Sequence, residues 1–133
     1  MISVLKKVFF MGVKLLNFSE GDLYLISNKV LDIAKKNGAT SSEVELSVSS
    51  GKTISTRMGA LETIELNNGK SLSATVFFGH HQGIASTSDF SNDALESCVK
   101  AACQIAKYTA EDKAFGLADP SLYSKDIKDL NIY

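Results

Sequence analysis

The residues best suited to chemistry are His80 and His81, side by side in Gly79-His80-His81-Gln82-Gly83 and the only two histidines of the chain. Imidazoles ligate zinc and move protons near neutral pH. Zinc peptidases, however, place two histidines four positions apart on one helix, so that both reach one ion. Neighbours in a loop diverge, no His-Glu-x-x-His arrangement occurs, and the pair reads as solvent-exposed loop histidines. Ser47, Ser49, Ser50, Ser55, Ser71, Ser73, Ser86 and Ser88 offer hydroxyls, but no Gly-x-Ser-x-Gly elbow presents one as a nucleophile. Glu43, Glu45, Glu62 and Glu65 alternate with other residues as a wet sheet face does, which outweighs a reading as paired acid and base. The glycines of Gly79–Gly83 lack the Lys-Ser/Thr ending of a phosphate loop. Cys98 and Cys103 lie five apart on an expected helix, so their side chains point about 140° apart. They read as small buried thiols of a reducing compartment, not as a disulfide or a metal pair. The expectation is therefore no catalytic residue and no metal ligand in this chain.

The elements that would position these groups follow from hydrophobic periodicity. Ser19-Glu20-Gly21-Asp22 can close a capping box. Leu23, Ile26, Val30, Ile33 and Ala34 then recur at helical spacing, and Lys35, Lys36 and Asn37-Gly38 suit a helix end, predicting a helix over 20–36. Val44, Leu46 and Val48 alternate with polar residues, as a half-buried strand does. Ser50-Gly51-Lys52 reads as a turn, with a return strand over Thr53–Arg57 and a break at Met58-Gly59-Ala60. A strand at about Leu61–Leu66 slips phase, since Leu61 and Ile64 are three apart, which suggests a bulge. Asn67-Asn68-Gly69-Lys70 carries the strongest hairpin signal. Leu72, Ala74, Val76 and Phe78 alternate after it, and Ile84–Ser88 forms a last short strand. Loops this short force antiparallel pairing.

Ser91 is the expected N-cap of a second helix ending near Tyr108, with Leu95, Val99, Ala102 and Ala106 inward, joined by Cys98 and Ile105. Glu96, Lys100 and Lys107 face water. The expected fold is α+β, ordered α-β-β-β-β-β-α: an antiparallel sheet of four to five strands flanked by an N-terminal and a C-terminal helix. Phe77, in the phase opposite to Val76 and Phe78, either packs under a loop or projects as an interdomain or subunit contact.

Bulk properties agree with one folded domain. The chain has 133 residues, 44% of them hydrophobic, and a net charge of −1. That balance argues against binding nucleic acid through phosphate neutralisation. Residues 1–18 form a leader with Lys6, Lys7 and Lys14 among apolar residues. Its apolar run is too short to span a bilayer and no signal-peptide cleavage site follows. It reads as a frayed leader, an amphipathic segment, or an upstream extension before an initiator at Met11. The expectations are a cytoplasmic chain with no membrane partner, a domain over 19–109, and an irregular linker over 110–133 toward absent later domains.

A family resemblance rests on motifs taken in order. Glu43-Val44-Glu45-Leu46 and Ser55-Thr56-Arg57-Met58-Gly59-Ala60-Leu61-Glu62 are similar to the opening strands of the PmbA/TldD family. Gly83-Ile84-Ala85-Ser86-Thr87-Ser88-Asp89-Phe90-Ser91 resembles its "GxASTxDLS" segment. The stretch from Ala101-Ala102 through Tyr108-Thr109 to Gly116-Leu117-Ala118-Asp119 resembles its "AxxIARYTxxD…GLAD" ending, in the manner of the PmbA (TldE) branch.

The resemblance marks Arg57, Gly59, Glu62, Gly83, Ser86, Thr87 and Asp89 as motif residues of structural or interface character. It implies a metallopeptidase complex acting in proteolysis, peptide maturation and antitoxin degradation, under an older association with DNA gyrase modulation. Zinc would be held by a TldD-like partner subunit on a His-Glu-x-x-x-His helix outside this region, with no cofactor here. This chain, inactive alone, would help to build the heterodimer interface and the walls of the chamber that takes the peptide substrate. The other functional reading is a stand-alone module that binds a peptide or protein along a sheet edge.

Overall fold

The computed structural model describes residues 18–123; most of the expected leader and the last ten residues of the expected linker lie outside them. Helix α1 spans Glu20–Lys36. The Ser19 hydroxyl accepts the Asp22 N–H (3.2 Å), while Asp22 Oδ2 accepts the Ser19 N–H (2.8 Å) and hydroxyl (2.6 Å), closing the expected capping box. Val30, Leu31 and Ala34 are buried, and Ile26 and Ile33 pack beside them. Gly38, at φ +88°, turns the chain out of the helix.

Among the described residues three antiparallel strands follow: β1 (Ser41–Arg57), β2 (Ala60–Phe78) and β3 (His81–Thr87), in the order β1-β2-β3. The expected four to five strands are corrected to three, because two of the anticipated turns do not form. Ser50-Gly51-Lys52 and the Asn67-Asn68-Gly69 run instead lie opposite each other in one straight ladder, with Ser50 paired to Asn68 and Gly51 to Asn67. The Ser50 hydroxyl donates to Asn68 Oδ1 at 2.9 Å. An Asn-Gly hairpin needs positive φ at both residues; Asn68 and Gly69 have none, whereas Met58 (φ +50°) and Gly59 (φ +81°) both do. Only one of these competing turns can close a hairpin in which Leu46 meets Leu72 and Ser42 meets Val76. The core pairing therefore selects Met58-Gly59 and straightens the rest. The expected bulge is present: Ser55 pairs with Thr63 and Thr56 with Leu61, leaving Glu62 as the extra residue.

Helix α2 spans Asn92–Tyr108, and it lies with α1 on one face of the sheet. Leu72, Ala74 and Val76 of β2 meet Val30 and Ala34 of α1 and Leu95, Cys98, Val99, Ala102, Cys103 and Ala106 of α2 in one core. Burying each large aliphatic side chain there contributes about 1.5–3 kcal/mol. Ile105 departs from the expected inward line and is 47% exposed. Ser91 holds the N-cap position without a side-chain cap bond; its hydroxyl donates to Asp89 Oδ2 (2.9 Å) instead. Phe77 sits on the face opposite the helices by register, yet is only 3% exposed, so it is covered within the chain and does not project.

Beyond α2 the described chain is irregular up to a 3-10 turn at Pro120–Leu122. Among the described residues no helix is long and apolar enough to cross a membrane.

Candidate functional site

His80 lies in the β2–β3 connection and His81 opens β3, where both make structural hydrogen bonds. The His80 Nδ1–H donates to the Phe115 carbonyl (3.1 Å) and the His81 Nδ1–H to the Thr109 carbonyl (2.8 Å). The Asp112 N–H adds a bond to the His80 carbonyl (3.1 Å). The histidines thus clasp the segment after α2, and His81 is half-buried rather than free in solvent. Among the described residues no group of three or more His, Cys, Asp or Glu side chains gathers as a metal site. Cys98 and Cys103 are free and buried, and desolvation raises both thiols above their ordinary pKa. Glu45, Glu62 and Glu65 are exposed, and Glu43 is half-buried beside Thr75. No nucleophile, base and oxyanion donor converge among these residues.

The distinctive surface comes from a mismatch of lengths. At about 1.5 Å per residue a 17-residue helix such as α1 or α2 runs about 26 Å, whereas at about 3.3 Å per residue the 19 residues of β2 run about 60 Å. Strand β3 ends at Thr87, opposite Leu72. From there to the Met58-Gly59 turn the sheet has two strands, without a covering helix among the described residues, and every residue over 51–68 is exposed.

One face of this arm continues the core face. Beyond Leu46 and Leu72 it carries, in cross-strand pairs, Val48 and Lys70, Ser50 and Asn68, Lys52 and Leu66, Ile54 and Ile64, and Thr56 and Leu61. The bulge at Glu62 returns Leu61 to the side of Ile64, which accounts for the phase slip read from the sequence. Exposure reaches 54% for Ile54, 50% for Ile64, 60% for Leu61 and 71% for Leu66. The other face is polar, with Ser47, Ser49, Thr53 and Ser55 opposite Ser71, Gly69, Glu65 and Thr63.

The motif residues fall into two groups that the structure keeps apart. Arg57, Gly59 and Glu62 form the tip: Gly59 makes the turn, Glu62 the bulge, and Arg57 meets Glu62 at 3.7 Å in an exposed pair of little energetic weight. Gly83, Ser86, Thr87 and Asp89 lie at the base. A Cβ on Gly83 would come within 2.0 Å of the Ala102 carbonyl oxygen, so only glycine lets α2 lie flush on β3. The Ser86 hydroxyl reaches that of Ser73 (3.4 Å), and the Thr87 hydroxyl accepts the Asp89 N–H (3.1 Å).

Asp89 in turn accepts the Ser91 N–H (2.9 Å) and hydroxyl, and these bonds, with Lys70 nearby, hold its carboxyl below the ordinary 3.8. Lys70 lies over the Phe90 ring (5.1 Å to its centre), and Phe90 meets Phe18 edge-on (5.6 Å). The exposed Ile54–Ile64 pair, and Leu66 opposite Lys52, carry no motif by which the sequence marks them as a surface. Their signal was the persistence of apolar residues past the length two helices can cover.

Residues 42–106 match the family model of PmbA/TldA metallopeptidase domain 1, so the chain belongs, through this domain, to the PmbA/TldD family. Among curated proteins it is 40% identical over 119 residues to a metalloprotease PmbA homolog of Haemophilus influenzae and 38% identical over 99 residues to metalloprotease PmbA of Escherichia coli O157:H7. These matches take in 90% and 74% of the chain but only 26% and 21% of the relatives, so it spans about a quarter of their length. Among solved structures it resembles a candidate modulator of DNA gyrase from Bacteroides thetaiotaomicron (TM-score 0.71, 27% identity, 84% of this chain and 25% of that one). It shares its fold with TldE from Thermococcus kodakarensis (TM-score 0.63, 14% identity, 77% and 23%).

Proposed function

We propose that this chain is the first, non-catalytic domain of a PmbA-like subunit that works with a TldD-like subunit as a cytoplasmic metallopeptidase in proteolysis or peptide maturation. The observation that carries this is the 40% identity to a metalloprotease PmbA homolog, running through nine-tenths of the chain. In this reading zinc and the reacting groups belong to the TldD-like subunit, and the domain contributes to the subunit contact and to the chamber that admits the peptide. Neither nucleic acid nor a membrane is a partner, in keeping with a net charge of −1.

The experiment is co-purification of the full-length natural protein with the TldD-like subunit of the same cells, followed by zinc analysis and peptide cleavage. One stable complex, zinc on the TldD-like subunit and chelator-sensitive cleavage by the pair alone are expected. Cleavage by the PmbA-like protein alone, indifferent to chelators, would overturn the proposal.

A second reading, a module binding a peptide along a sheet edge, draws on the stretch of β2 from Ala60 to Ser71. It pairs with β1 on one side and extends beyond the end of β3 on the other. Binding of extended peptides by the 14.3 kDa chain alone, with no affinity for a TldD-like subunit, would favour it.

A further inference from the structure

We infer that the apolar face of the arm is the docking surface for the TldD-like subunit, through an apolar patch on that subunit rimmed by carboxylates. The inference rests on the pairing proposed above and adds which surface makes the contact. A two-stranded ribbon without a covering layer is marginal in water, and this one, uncovered by any helix among the described residues, exposes Ile54, Ile64, Leu61 and Leu66 on a single side. Burial against another surface would relieve both conditions.

Charge decides among the possible occupants. The charged residues on that face are Lys52 and Lys70, both cationic, while Glu65 belongs to the opposite face and Glu62 to the bulge. A second copy stacked face to face would bring lysines against lysines. The chain's own residues 1–17 carry Lys6, Lys7 and Lys14 and no carboxylate, so they offer Lys52 and Lys70 no charge of opposite sign. An acid-rimmed partner meets Lys52 favourably while its apolar centre covers the isoleucines.

Direction points to a separate polypeptide. His80 and His81 hold the segment after α2 at the β2–β3 end of the sheet, which the length of β2 sets about 60 Å from the Met58-Gly59 tip. The arm therefore reaches away from the side on which the chain continues after α2.

The test measures the affinity of the full-length natural protein for its TldD-like subunit. Ile64→Glu is expected to weaken binding about 30-fold or more, as loss of a central apolar anchor does. Lys52→Glu, which leaves the isoleucine pair intact, should weaken it about tenfold, while Thr53→Glu on the polar face should bind as the unaltered protein. Melting temperatures matching the unaltered protein would show that the variants fold.

If both apolar-face variants bind normally while the complex forms, the docking surface lies elsewhere and the pairing itself stands. If the unaltered proteins do not associate, the pairing fails and this inference with it. Self-association abolished by Ile64→Glu, or cross-links from the arm to a later part of the same polypeptide, would likewise overturn it.

Discussion

Gly83 shows how one atom sets the spacing of a layer. Its missing Cβ would lie 2.0 Å from the Ala102 carbonyl oxygen and 2.5 Å from the Ala106 backbone nitrogen, and a helix backbone cannot yield locally. Gly83→Ala should therefore displace α2 and lower stability by about 3 kcal/mol, measurable by urea unfolding. Asp89 works through hydrogen bonds instead. Its carboxyl is held below 3.8 first by the Ser91 N–H, then by the Ser91 hydroxyl, and finally by Lys70, against weak desolvation. A carboxyl with a depressed folded pKa stabilises above its unfolded value and loses that contribution as pH falls through the folded one. Relative to Asp89→Asn, the unaltered protein should be more stable at neutral pH. The difference should shrink below pH 3.8 and vanish once both states are protonated, as paired melts across pH would record.

The arm is the element in which local preference and overall pairing disagree most. Met58 occupies the left-handed region at φ +50° without the tolerance of Gly or Asn, while Asn68, which has that tolerance, lies straight in a strand. Met58→Asn should therefore stabilise the hairpin by about 1 kcal/mol. Slower amide exchange at arm residues such as Ile54 and Ile64, with little change in the core, is the expected sign. Gly59→Ala, at φ +81°, should act in the opposite direction by a similar amount. The bulge at Glu62 also acts at this scale: it carries Leu61 back to the side of Ile64 and keeps the apolar stripe continuous to the tip.

At the scale of the molecule, two helices roof less than half the length of the sheet they sit on, so buried core and exposed apolar surface are divided along one hairpin. The roofed half should unfold as a unit around Leu72, Val76, Leu95 and Val99. Cys98 (7% exposed) and Cys103 (5%) report on that unit from inside it. Both thiols should resist labelling in the native protein. Val99→Ala should destabilise by about 2 kcal/mol and raise the labelling rate about 30-fold wherever labelling follows global opening. The proposed docking predicts that amide exchange in the uncovered half slows on addition of the TldD-like subunit.

Periodicity together with capping motifs located α1, the capping box that starts it, α2, the buried thiols and the slip that became a bulge. Each depends on residues within a few positions of one another. The same reading split β1 and β2 at Gly51 and Asn68-Gly69, because turn propensity is local, whereas the choice among rival turns depends on Leu46 meeting Leu72 across a long loop. It also left Phe77 open between packing under a loop and projecting, and read His81, like the exposed His80, as free in solvent, since burial and the clasp on Phe115 and Thr109 come from segments distant in sequence. The exposed stripe of Ile54, Ile64 and Leu66 emerged only with the tertiary structure: an apolar residue in a strand reads as core until the reach of the covering helices is known.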